Sequence, residues 1–234
     1  MKRFYKEAST DRVAHGWQVH LDGRGIRTQG GSQQVVPTEA TARLLASEWD
    51  AQGEEIDPKS FVFRDLADLA IDTIAPEREA TIAKLLAYAE TDTLCYRAEP
   101  GEALFERQEA LWEPLVTACE AQHTARFERI SGIIHRPQPA ATMAALRKRL
   151  EGESDFTLAA LLTLASLAAS LIAALAVLED NADAEQLFSA TNAEEDWQAE
   201  LWGSDWEAEQ VRALRLAAFL KAAEFAEAVR EPAE

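Results

Sequence analysis

The sequence predicts an α+β fold: a small β-rich N-terminal domain, residues 1–98, followed by a larger α-helical bundle domain, residues 99–234. Three observations lead there. Apolar–polar alternation and glycine turns cluster before Val36. Helical periodicity dominates afterwards, and Phe156 to Leu178 runs 23 residues without a formal charge. With 234 residues and 47% hydrophobic content the chain has ample material for a core.

The elements follow in order. Gly16-Trp17-Gln18-Val19-His20-Leu21 alternates as a half-buried strand, Asp22-Gly23 supplies a hairpin turn, and Ile26-Arg27-Thr28 returns. Gly30-Gly31 offers a second turn before Gln34-Val35-Val36. Pro37-Thr38 ends that strand and opens a helix, with Thr38 as N-cap and Ala42, Leu45 and Trp49 as its apolar stripe. Trp49 is therefore read as structural. Helices are predicted over 64–74 and 77–91, with Pro76 at the first turn of the second. Residues 93–97 are strand-like, and Pro100-Gly101 breaks the chain. Residues 102–122 are helical around Leu104, Leu111 and Leu115, and Pro114 is expected to kink that helix or end it early. Residues 126–134 read as a strand around Phe127 and Ile130. Four helices follow, over 140–150, 156–178, 184–202 and 205–229. The uncharged stretch 156–178 has the length of a membrane span, but alanine, Thr163, Ser166 and Ser170 fit a central bundle helix better. No Lys or Arg flanks it to set an orientation. The small-polar stripe Thr163, Ser166, Ser170 would let a neighbouring helix approach closely, and no stable membrane insertion is expected.

Charge narrows the function classes. The net charge is −18, and from Glu179 to Glu234 fifteen acids face four bases. A nucleic-acid binder needs a basic face to release counterions, so nucleic acid is excluded as a partner on this count. Two cysteines, Cys95 and Cys119, with no apolar signal segment after Met1-Lys2-Arg3-Phe4-Tyr5-Lys6, suggest buried free thiols in a reducing compartment. That compartment would be the bacterial cytoplasm, or the mitochondrial matrix for a mature eukaryotic form. Phosphate-binding loops, His and Cys metal spacings and a nucleophile elbow are all missing from the sequence. The chain reads as a non-enzyme, with no catalytic residues, no metal and no cofactor. The alternative is a small-molecule enzyme using carboxylates in a cleft between the two domains.

The segment richest in information is Glu194-Glu195-Asp196-Trp197-Gln198-Ala199-Glu200-Leu201-Trp202-Gly203. At about 100° per residue, Glu195, Gln198 and Trp202 share one helical stripe, while Trp197 and Leu201 share a second that can face a core. Acid, amide and indole together suit a protein-binding surface, since Trp gives anchoring area and charge gives orientation. A solvated acidic helix face is the plainer reading of the same residues.

In order along the chain stand Lys2-Arg3-Phe4-Tyr5-Lys6, Leu21-Asp22-Gly23-Arg24, Pro37-Thr38, Glu48-Trp49-Asp50-Ala51-Gln52 and Asp72. Tyr88, Thr91-Asp92-Thr93-Leu94-Cys95-Tyr96-Arg97, Gln108, Trp112-Glu113-Pro114-Leu115 and Glu194-Glu195-Asp196-Trp197-Gln198 with Trp202-Gly203 complete the series. Together these landmarks resemble the ATP synthase assembly chaperones that bind the free α subunit of the catalytic sector. The Thr-Asp-x-x-Cys-Tyr-Arg and Trp-Gln-x-x-x-Trp-Gly segments are the most specific. Two departures are visible: Ala169-Ser170 stands where the family's central apolar helix has Gly-Ser, and residues 189–193 are smaller and more polar than in the family.

The resemblance implies a chaperone that covers the α subunit's interface surface until β replaces it, monomeric when free. It implies partner-binding roles for Glu194, Glu195, Asp196, Gln198 and Trp202, with Glu195 favoured as the key acid by the stripe. It also implies structural roles for Trp49, Asp72, Asp92, Arg97 and Trp112. Asp72, Asp92 and Arg97 are expected to form a buried ion pair holding the helices to the β part.

Overall fold

The computed structural model describes residues 1–132 and 134–230. Ile133, inside the segment predicted as a strand over 126–134, lies outside them. The chain divides into two compact units. One comprises Met1–Arg78, Ser154–Ala160 and the chain from Lys221 onward; the other comprises Glu79–Glu153 and Leu161–Leu220.

The first unit is organised by a central strand. β2 (Gly16–Leu21) pairs along its length with β1 (Ala8–Val13). On its other side it pairs with β3 (Arg24–Gly25) and β4 (Val35–Val36). The Asp22-Gly23 turn forms as expected, with both residues at positive φ (49° and 77°), as the tight right-twisted hairpin requires. Gly16 is obligatory for a different reason: a Cβ there would lie 2.3 Å from the Val36 carbonyl oxygen. β1 carries no apolar alternation, because it is an edge strand whose side chains are half-buried or exposed.

Helix α1 (Glu39–Asp50) packs on this sheet, and Thr38 caps it by accepting from the Thr41 amide at 3.1 Å. Ala42, Leu45 and Trp49 are buried as the stripe demands. Trp49 sits between Tyr5 and Phe61, ring centroids 5.5 and 4.5 Å away. Buried Glu48, on the same helix, accepts from the amides of Val62, Phe63 and Arg64 at 2.6–2.9 Å. It caps α2 (Val62–Asp68), whose own first residue offers no side-chain cap. Beyond Asp68 the helix loosens into a π-helical turn, Leu69–Ile74, where Asp72 accepts from Thr28 Oγ1 and the Gly30 amide, both at 2.8 Å.

The remaining α-helices are α3 (Arg78–Glu90), α4 (Ala103–His123), α5 (Ala140–Glu151), α6 (Asp155–Ala168), α7 (Leu171–Ala176), α8 (Ala184–Thr191), α9 (Ala193–Trp202) and α10 (Trp206–Ala228), all in the second unit except Arg78, α6 up to Ala160 and α10 from Lys221. The two-residue strands β5 (Tyr96–Arg97) and β6 (Ile130–Ser131) pair in parallel. So the strand-like stretches 93–97 and 126–134 contribute only these short pieces, Thr93–Cys95 being a single 3₁₀ turn.

Several expectations are corrected. Pro114 neither ends nor shortens α4, which runs 21 residues through it. Pro114 lies on the exposed face, where solvent can satisfy the carbonyl that loses its donor. The buried face of α4 is Gln108, Trp112, Val116 and Cys119, while Leu111 is 40% exposed. The predicted helix over 156–178 is two helices. Ala169 turns left-handed at φ 49°, and Ser170 restarts the chain as N-cap of α7, accepting from the Ala173 amide at 3.0 Å. The small-polar stripe therefore does not exist as a helix contact, since Ser166 is exposed and Ser170 is a cap. The predicted helix over 184–202 likewise breaks at Asn192 into α8 and α9.

Asp72, Asp92 and Arg97 do not pair. Fully buried Asp92 accepts from the amides of Leu94 (3.1 Å) and Ile172 (3.0 Å), bracing the start of α7, and burial pushes its carboxyl up to about 6. Arg97 donates instead to Glu109 and to Glu113 (2.8 Å) on α4. Arg129 continues the ladder to Glu113 (2.7 Å) and Glu120. These guanidinium groups hold the Glu113 carboxyl down at about 2.

Candidate functional site

The acid–aromatic segment forms α9, and its charges fix it between α4 and α10. Trp112, fully buried on α4, donates its Nε1–H to the Ala190 carbonyl at 2.7 Å and so caps the C-terminus of α8 immediately before α9 begins. Gln108, also fully buried, accepts from the Ala98 amide and donates to Glu194 at 2.7 Å. Arg107 makes two 2.7 Å bonds to Glu200 and lies 5.9 Å from the Trp197 ring centroid. From α10, Arg212 pairs with Asp196, and Arg215 reaches Glu195 (2.9 Å) and the Asn192 side chain (2.8 Å). Glu194, Glu195 and Asp196 all lie in the first turn of α9, where the helix dipole favours negative charge.

The predicted stripe is open to solvent: Glu195, Gln198 and Trp202 are all exposed. Between the two acids bonded to α10, Glu195 leaves 54% of its side chain accessible and Asp196 only 20%. The second stripe is corrected. Trp197 is half-buried, but Leu201 is 57% exposed, and Ala193 is the one residue of α9 that is buried. Trp49, Asp72, Asp92, Arg97 and Trp112 have the packing, capping and ion-pair roles described above.

Sequence reasoning missed the first half of α10. Trp206, Val211 and Leu214 are 64%, 56% and 71% exposed, and they adjoin Leu201 and Trp202 in the chain. These five are the majority of the nine large hydrophobic side chains exposed among the described residues. Their spacing along α10 mixes apolar residues on several faces, so periodicity gave no sign of which face would be left uncovered. The Arg107, Gln108, Arg212 and Arg215 anchors were equally invisible, since each lies 16 or more residues from its partner.

Elsewhere the displaced titrations belong to buried structure. Both cysteines are free and buried, and burial raises their thiols, that of Cys119 to about 12, which disfavours the nucleophilic thiolate. Among the described residues no cluster of His, Cys, Asp and Glu is arranged to hold a metal ion, and no helix is long and apolar enough to cross a membrane.

Helix α9 is thus tied to α4 and α10 by its charges while Glu195, Gln198 and Trp202 stay in solvent. Residues 2–120 match the ATP12 chaperone protein family. The chain is 37% identical to Atp12 from Paracoccus denitrificans, with a TM-score of 0.92 and 98% of both chains covered. It is equally identical to the Atu1473 protein of Agrobacterium tumefaciens, with a TM-score of 0.93 over 98% of this chain and 86% of that one. A mitochondrial atp12 protein of Schizosaccharomyces pombe is 27% identical over 90% of this chain and 76% of its own length. This chain belongs to the ATP12 chaperone family.

Proposed function

We propose that this protein is an ATP synthase assembly chaperone that binds the unassembled α subunit of the catalytic sector. It shields the α subunit's interface surface from aggregation and releases it to β. The observation that carries this reading is the run of exposed Leu201, Trp202, Trp206, Val211 and Leu214 in one short stretch of chain that follows exposed Glu195 and Gln198. Monomeric proteins rarely leave so many large apolar groups together in water without a partner. The α subunit, lacking its β neighbours, exposes apolar and polar surface of the complementary kind.

Glu195 gives the contact its orientation. Its bond to Arg215 is an exposed ion pair, worth about 0–1 kcal/mol, so a basic group on the partner can share or take the carboxylate at small cost. Gln198 adds hydrogen bonds and Trp202 adds apolar area. A mixed surface of this sort binds reversibly, as a chaperone that must be displaced requires. The protein acts in the bacterial cytoplasm or in the mitochondrial matrix, and is monomeric when free.

Co-expression with a lone α subunit, followed by gel filtration, tests the reading. The expected result is a soluble one-to-one complex that disperses when β is added. Glu195→Lys should abolish the complex with an unchanged circular dichroism spectrum, because an exposed charge carries little stability. Aggregated α with nothing co-eluting would overturn the proposal, as would a Glu195→Lys variant that fails to fold.

A further inference from the structure

We infer that a second contact for the same partner lies in the groove between α4, α8 and the segment joining α7 to α8. It takes an apolar stretch of polypeptide carrying lysine or arginine. This rests on the chaperone reading above and names a separate surface for it.

The groove encloses about 660 Å³, room for several side chains. Its larger apolar lining residues are Leu111, Pro114 and Leu115 of α4 and Leu187 of α8. Leu111 is the one large apolar residue of α4 that the fold leaves exposed, at 40%. Its turn of the helix thus offers the core Trp112 and the groove Leu111.

The charge of the groove lining is negative: Glu179, Asp183 and Asp196 stand against one base, Arg107, whose guanidinium is engaged by both oxygens of Glu200, and the neutral Gln186 and Ser189 complete its polar groups. Asp196 is already paired with Arg212, which leaves Glu179 and Asp183 as the carboxylates facing a newcomer. Pro114 adds to this bias: it has no N–H, so the Ala110 carbonyl, also in the groove lining, lacks its helical i+4 donor. An apolar lining with a net negative charge is complementary to an apolar segment that brings its own donors and positive charge. The groove is also continuous with α9, through Asp196 in its lining and through Arg107, which holds Glu200 and lies over Trp197. A partner seated on the Glu195–Trp202 stripe is therefore led toward it.

Binding of the isolated α subunit is measured by titration for four proteins: the unaltered chain, Leu111→Asp, Glu179→Lys and Ile134→Asp. Ile134 is 76% exposed and is not among the groove residues, so it controls for placing a carboxylate on any exposed apolar site. Circular dichroism and thermal melting verify that all four are folded. The expected result is a tenfold or greater weakening for Leu111→Asp, a several-fold weakening for Glu179→Lys, and no change for Ile134→Asp. The sign is informative, because Leu111→Asp makes the protein more acidic and would strengthen any unspecific attraction for a cationic partner.

If the unaltered chain binds α and the groove variants bind equally well, the groove inference falls while the chaperone reading stands. Equal weakening by Ile134→Asp also overturns it. If the unaltered chain does not bind α at all, both fall. A self-associated form by light scattering, dissolved by Leu111→Asp, would assign the groove to a second copy and likewise overturn the inference.

Discussion

Tryptophan-to-phenylalanine replacement at three positions isolates what each indole N–H does. Trp112 is fully buried and donates to the Ala190 carbonyl at 2.7 Å; Trp49 is buried with no acceptor for Nε1 among the described residues; Trp202 is 85% exposed. At Trp112 the substitution strands a carbonyl at the end of α8, costing about 1–3 kcal/mol. It also opens a gap of a few tens of Å³, worth about 1 kcal/mol at roughly 24 cal/mol per Å³. The expected loss is about 2–4 kcal/mol. At Trp49 the same gap is offset by removing a donor that is buried without a partner, so the net change lies within about 1 kcal/mol of zero. At Trp202 the change stays within about 0.5 kcal/mol, as for an ordinary surface site.

Urea unfolding followed by far-UV circular dichroism reads all three, with the denaturant slope compared to verify that the unfolding transition is unchanged. Because Trp112 caps α8 just before α9, its variant should also show faster amide exchange over residues 192–196. A Trp112 variant no less stable than the Trp202 variant would refute the reasoning. So would a Trp49 variant as damaged as the Trp112 one.

Two further outcomes follow from the second unit. The Glu113 carboxyl is lowered from its ordinary 4.5 to about 2 by Arg129 and Arg97. A depressed folded-state value means the stabilisation is complete above about pH 4.5 and is lost as pH falls through about 2. The side chain is 38% exposed, so solvent screening reduces the nominal gain, and Glu113→Gln should cost about 1–2 kcal/mol at pH 7. Unfolding curves between pH 7 and pH 2.5 should show that difference shrinking only below about pH 4.5; a constant difference would refute the assignment. Ala169 occupies the left-handed region at φ 49°, which costs a non-glycine residue about 1–2 kcal/mol. Ala169→Gly should therefore stabilise by about 0.5–1 kcal/mol after the entropy it adds to the unfolded chain, and a lowered melting temperature would contradict this.

What the sequence by itself determined is local. The Asp22-Gly23 hairpin, the Thr38 cap and the Ala42–Leu45–Trp49 stripe each depend on neighbours a few residues away, and all are found as read. So is the open Glu195–Gln198–Trp202 stripe, since residues of such polarity specify a solvent face in one helical turn or two. What only the tertiary structure decided depends on residues far off in the chain. The uncharged stretch after Asp155 breaks at Ala169-Ser170 because Asp92 and Thr93, more than seventy residues earlier, take up the amide and carbonyl groups freed there. Hydropathy cannot register that, because the break lies inside a run that is apolar on both sides. Gln108 is buried on α4 while Leu111 is left in water, since Gln108 finds partners in Ala98 and Glu194. Residues 154–160 and the chain from Lys221 join the N-terminal unit, with Thr38 Oγ1 donating to the Ala228 carbonyl at 2.6 Å. The exposed apolar face of α10 belongs to the same class: a helix's sequence states which of its faces are apolar, but only the packing decides which of them is covered.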